Sequence, residues 1–109
     1  MTAPDVLPLP LLEARRAELF DLCARHNVAR LELFGSAATG WFDPERSDLD
    51  FLLELLPLSP VQAADAYLGL SEDLESLFGR RIDLVMPRAI RNRFFLESIN
   101  RSRTLLYAA

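Results

Sequence analysis

An α/β domain with helices packed on a small mixed or antiparallel sheet is the fold class this sequence predicts, and three observations lead to it. Apolar residues recur at helical spacing over 11–26 and 60–78. Three short runs, 30–34, 48–55 and 80–86, instead place apolar and polar side chains on alternate faces at strand period. Glycine or proline closes each of those runs, so helices and strands interleave along the chain.

Residues 1–10, MTAPDVLPLP, read as a loosely ordered lead-in. The first helix covers 11–26, where Leu12, Leu19 and Cys23 share a stripe flanked by Phe20 and Leu22, and Asn27 suits a left-handed cap. In the first strand Leu31 and Leu33 face one way and Glu32 the other; Gly35 ends it and Ser36 opens a short helical turn. A loop from Trp41 to Ser47, marked by Asp43-Pro44, leads to the second strand, 48–55. There Leu49, Phe51, Leu53 and Leu55 form an apolar row, while Asp48 and Asp50 share the other face with Leu52 and Glu54.

Ser59 as N-cap and Pro60 at the first helical position start a helix that runs to about Phe78. Leu70, Leu74, Leu77 and Phe78 supply its later apolar face, Gly79 its C-terminal cap, and Gly69 a weak point or break. A third strand over 80–86 puts Ile82, Leu84 and Met86 on one side and Asp83 with Val85 on the other, and Pro87 ends it. A last helix over 89–101 is expected to pack Ile90, Phe94 and Ile99, with Leu105-Leu106-Tyr107 adding a terminal strand.

A chain of 109 residues, half of them apolar, suffices for one domain spanning 1–109 and no more. A module that binds an acceptor is therefore expected on another molecule. No apolar run approaches the ~20 residues that cross a bilayer, and the N-terminus lacks the basic start of a secretion signal. With Cys23 as the sole cysteine, these features point to a reduced, cytoplasmic protein with no internal disulfide and no cysteine zinc site. A net charge of −4 argues against general nucleic-acid binding, yet the charge is uneven. From Arg80 onward seven arginines face Asp83 and Glu97, whereas residues 1–79 carry five arginines and fourteen acids. The tail is thus a candidate docking surface for an acidic protein face or a nucleotide triphosphate.

Chemistry concentrates in Leu33 to Glu54, LFGSAATGWFDPERSDLDFLLE. Gly35 lets the backbone approach a ligand closely, and the amides and hydroxyl of the turn opened by Ser36 suit phosphate. Asp48 and Asp50 point to one side of a strand, and at ~4 Å two such charges repel by about 4 kcal/mol at an effective dielectric near 20. A cation is the natural occupant between them. If Gly35-Ser36 at the end of one strand is to meet Asp48 at the start of the next, those strands run antiparallel. Asp83, on a later strand among apolar residues, repeats the anomaly of a carboxylate in an apolar run. Three carboxylates suit Mg²⁺, and a pair of such ions about 3.5–4 Å apart clamps both oxygens of an in-line phosphoryl substitution.

Residues 33–53 together with Asp83 resemble the DNA polymerase β-type nucleotidyltransferase superfamily, whose signature is a Gly-Ser turn, an Asp-x-Asp pair and a later strand aspartate. Length and element order, from Leu11 to Tyr107, are similar to its smallest branch, the minimal nucleotidyltransferases. The resemblance implies a polymerase β-like fold and an antitoxin that transfers AMP from ATP to a tyrosine of a HEPN-type ribonuclease toxin. It implies that Gly35 and Ser36 hold the β and γ phosphates, that Asp48 and Asp50 bridge two Mg²⁺ ions, and that Asp83 binds the catalytic one and helps take the acceptor proton. The loop GSAATG departs from many relatives in carrying Thr39 where they have arginine, which implies weaker phosphate binding or replacement by a tail arginine such as Arg88 or Arg91. Two other functions compete: a non-catalytic antitoxin that neutralises a toxin by complex formation, and a small-molecule, antibiotic-type nucleotidyltransferase.

Trp41 and Phe42 suit packing of their loop better than stacking on a nucleobase. His26 reads as a surface or cap residue rather than a general base, and Tyr67 and Tyr107 as packing residues.

Overall fold

The computed structural model describes residues 3–39, 43 and 48–109, apart from the side chains of Ala37 and Thr39. The expectations for Trp41, Phe42 and most of their loop, and for the Thr39 side chain, lie outside the described residues. In chain order the elements are α1 (Pro10–Glu13), α2 (Arg16–Arg25), β1 (Val28–Phe34), α3 (Ser36–Thr39), β2 (Leu49–Leu55), α4 (Pro60–Phe78), β3 (Ile82–Val85), a 3₁₀ turn (Pro87–Ala89), α5 (Arg93–Ser102) and β4 (Thr104–Ala108).

The strands form one mixed sheet in the order β3-β2-β1-β4. β1 is antiparallel to β2 and to β4, and β2 is parallel to β3. Leu31 and Leu33 of β1, Leu49, Phe51 and Leu53 of β2 and Ile82 and Leu84 of β3 share one buried cluster with Leu19 and Cys23 of α2 and Leu70 and Leu74 of α4. The opposite face carries a smaller cluster, Phe34, Leu52 and Ile99, covered by α5. Strand alternation therefore divides β1 and β2 between a broad core and a thin one.

Local signals account for most of the boundaries. Ser59 and Gln62 form a reciprocal capping box at the start of α4, Pro60 occupies its first position, and Gly79 closes it in the left-handed conformation at φ 61°. Asn27 likewise adopts φ 58° after α2. Cys23 fills the core as expected, and burial pushes its thiol up to about 12, which leaves it unreactive near neutral pH.

Several expectations are corrected. The first helix is two helices, α1 and α2, separated at Ala14 and Arg15. Between Pro4 and Pro10, Leu7 is buried, its N–H donates to Glu13 Oε2 at 2.8 Å, and Arg16 donates to the carbonyls of Pro4 and Asp5. Gly69 does not break α4, because its missing side chain makes room for the His26 ring, whose Cε1 lies 2.8 Å from where a Cβ would stand. His26 is the C-cap of α2, as expected of a cap residue, and its ring lies against α4 with Nε2 2.7 Å from Asp73 Oδ2. The last helix begins only at Arg93, where Asn92 accepts from the N–H groups of Phe94 and Phe95, and Phe94 points outward.

Candidate active site

The antiparallel pairing of β1 with β2 brings the end of one strand to the start of the other. Phe34 and Asp50 are partners across that ladder, so Gly35 leaves β1 directly over the Asp50 side chain. A Cβ built on Gly35 overlaps the Asp50 carboxylate oxygen, and Gly35 has φ 72°, a conformation that side chains disfavour. Two requirements thus meet at one residue: a left-handed turn and a close approach of backbone to carboxylate. Ser102, at the end of α5, accepts a hydrogen bond from the Gly35 N–H at 3.1 Å and fixes the turn from the other side. Ser36 then opens α3, as the sequence suggests.

Across the next ladder, Asp83 of β3 is the register partner of Asp50, on strands about 4.8 Å apart. Asp48 lies immediately before β2, two residues from Asp50, and like it is half-buried. Burial raises the Asp50 carboxyl, and the charges of Asp83 and then Asp48 push the same way, to about 6. Asp83 and Asp48 thus both act on Asp50. Among the described residues, no three such side chains are gathered tightly enough to grip an ion as placed. The ladder fixes where the carboxylates start, and side-chain rotation sets how closely their oxygens meet. An all-oxygen set with surplus negative charge fits a hard divalent cation such as Mg²⁺.

Asp83 departs from its expected setting. β3 is an edge strand, so the Asp83 side chain is exposed rather than enclosed among its apolar neighbours. Arg88 is placed away from the aspartates: it lines a cavity of about 410 Å³ with Glu54, Leu56, Pro57 and Met86, at the opposite end of β2. That position does not suit it to replace an arginine of the Gly35 turn. Ser102 is the residue that sequence reasoning misses, since nothing in the chain marks a hydroxyl 67 residues from the amide it caps.

The Gly35 turn and the neighbouring aspartates form an acidic corner at one end of the sheet, and comparisons with known proteins place the chain in a family. A family model for the nucleotidyltransferase domain matches residues 18–106. A Methanocaldococcus jannaschii protein provisionally named a protein adenylyltransferase is 33% identical over 75 residues, which span 69% of this chain and 73% of the relative. A solved structure provisionally described as a minimal nucleotidyltransferase superposes with a TM-score of 0.70 at 34% identity, covering 93% of this chain and 98% of the other. At 20% identity, where the likeness is one of fold, a toxin-antitoxin structure with AMP-PNP gives a TM-score of 0.63 over 86% of this chain and 73% of the other. A tri-AMPylated Shewanella oneidensis HEPN toxin in complex with its MNT antitoxin gives 0.58 at 17% identity, over 88% and 71%. The mixed sheet with the Gly35 turn laid against Asp50, and the match over 18–106, make this chain a member of the nucleotidyltransferase domain family.

Proposed function

We propose that this nucleotidyltransferase takes ATP with Mg²⁺, transfers AMP to a tyrosine of a HEPN-type toxin protein, and so acts as its antitoxin in the cytoplasm. The observation that carries the reading is the ladder register that pairs Asp83 with Asp50, with Asp48 two residues before it, next to the Gly35 turn. Support for the protein acceptor comes from the relative named for protein adenylyltransferase activity, and support for the toxin from the folds of the toxin-antitoxin complexes.

Asp48, Asp50 and Asp83 are the residues that would hold Mg²⁺, which when bound neutralises developing charge on the phosphate oxygens. The chain supplies the rest of the arrangement. Gly35 and Ser36 receive the β and γ phosphates where no side chain at 35 obstructs them. Asp50 and Asp48 repel one another and so favour a substrate that arrives with its own cations. In this reading Asp83 accepts the proton of the attacking tyrosine hydroxyl, a role supported by its exposure on the edge strand. The tyrosine oxygen bonds to the α-phosphorus, the bond to the bridging oxygen breaks, and pyrophosphate leaves with that electron pair. Incubation with labelled ATP, Mg²⁺ and the product of the neighbouring reading frame tests this: the partner becomes labelled, and Asp48→Asn removes the label. Label that persists in the variant contradicts the metal role.

A further inference from the structure

Helix α5 exposes much and buries little. Of its ten residues only Ile99 is buried, while Phe94 and Phe95 are 74% and 44% exposed. Arg91, Arg93 and Arg101 are exposed around them. Phe94 and Arg101, seven residues apart, lie on one stripe of the helix. Phenylalanine has no polar end to face water, and adjacent exposed aromatics among arginines have the composition of an interface centre.

The helix also borders the carboxylates. Ile99 packs on Phe34 and Leu52, and the Phe95 ring meets Phe34 edge-on with centroids 6.3 Å apart. Phe34 is the ladder partner of Asp50, and Ser102 at the far end of α5 holds the Gly35 turn. Helix α5 therefore borders the end of the sheet at which Asp50 stands. The charge there is one-sided: Glu97 is the acid of the helix and stands 4.0 Å from Arg93. Arg103 differs from its neighbours because its Nε and Nη2 are committed to Glu32 and its Nη1 to Asn100.

We propose that the outward face of α5, formed by Arg91, Arg93, Phe94, Phe95 and Arg101, is the docking surface for the acceptor protein and takes an acidic patch with apolar side chains at its centre. This rests on the reading of the chain as a protein adenylyltransferase. Docking there presents the acceptor hydroxyl to Asp83 and Asp50. Arginine with aromatics also suits single-stranded RNA, but a net charge of −4 and three aspartates at the border favour a partner whose acids are local over a continuous polyanion.

The test titrates the purified HEPN-type protein against wild type, Phe94→Asp, and the double variant Arg93→Glu with Arg101→Glu, alongside binding of ATP with Mg²⁺. Because all three positions are exposed, circular dichroism and thermal midpoints stay at wild-type values. Both variants are expected to bind the acceptor at least about tenfold more weakly, with ATP affinity unchanged. In AMP transfer the KM for the acceptor rises and kcat at saturating acceptor holds. The arginine variant also loses the salt dependence of association. Wild-type affinity in both variants overturns the proposal, as does failure of wild type to bind the acceptor, or association that ribonuclease treatment abolishes. Acceptor binding that depends on α5 without any AMP transfer refutes the transferase reading and leaves the surface standing; equal labelling by wild type and both variants does the reverse.

Discussion

Glu32 and Asp50 stand on paired strands and on the same face of the sheet, yet the protein treats the two carboxylates in opposite ways. Glu32 is only 4% exposed and is gripped by Arg103, with Nε 2.9 Å from Oε2 and Nη2 2.7 Å from Oε1, while Arg30 Nε lies 2.9 Å from Oε1. The Arg103 hydrogen bonds hold its carboxyl below the usual carboxylate range, outweighing burial. Asp50 is half-buried, and among the described residues the charges that act on it are those of Asp83 and Asp48, so both burial and charge drive its carboxyl up to about 6. A carboxylate that holds the fold brings its cations within the chain. Under the proposed function the other carboxylate, which has no cation beside it among the described residues, receives one with the substrate.

Substitutions that neutralise each carboxylate separate the two roles. Asp50→Asn is expected to lower AMP transfer by about 10²–10³-fold while leaving the thermal midpoint unchanged or raised, since the amide removes repulsion from Asp83 and Asp48. Glu32→Gln is expected to do the opposite. It leaves Arg103 and Arg30 without their anion, costs about 1–3 kcal/mol in chemical denaturation, and preserves the transfer rate per folded molecule. Gly35→Ala falls between them and loses on both counts. The left-handed turn alone costs about 1–2 kcal/mol for a side chain, and the added methyl meets the Asp50 carboxylate.

Acid titration gives the smallest effect and a contrast of sign. Folded Asp50 holds its proton more tightly than the unfolded chain does, so its contribution to stability falls as pH rises from the ordinary aspartate range to about 6. Solvent around this half-exposed group limits the fall to about 1 kcal/mol. Glu32, lowered in the fold, contributes stability above the ordinary glutamate range and loses it as pH drops through its folded value. Denaturation midpoints measured across pH in Asp50→Asn should lack the first trend and keep the second.

Much of the fold was legible because its signals are local. The Ser59-Pro60 start and Gly79 end of α4, the left-handed Asn27 and the alternation in β2 each depend on residues a few positions apart. The antiparallel pairing of β1 and β2 followed from requiring Gly35 and Asp48 to meet, and the ladder has that sense. What was not legible depends on distant partners. Phe94 has the spacing of a core residue, but α5 lies on the thin side of the sheet and turns it outward. Asp83 has apolar neighbours, yet its exposure follows from β3 lying at the edge, a matter of strand order. Glu32 read as the polar face of a strand, because its partner Arg103 is 71 residues away.

Metal binding tests the contrast between the two carboxylates most directly. With Mn²⁺ as a paramagnetic substitute for Mg²⁺ and ATP present, water-proton relaxation should report an ion held by wild type and by folded Glu32→Gln, and held at least about tenfold more weakly by Asp50→Asn. Equal Mn²⁺ affinity in Asp50→Asn and wild type would contradict the assignment of the aspartate cluster as the cation site.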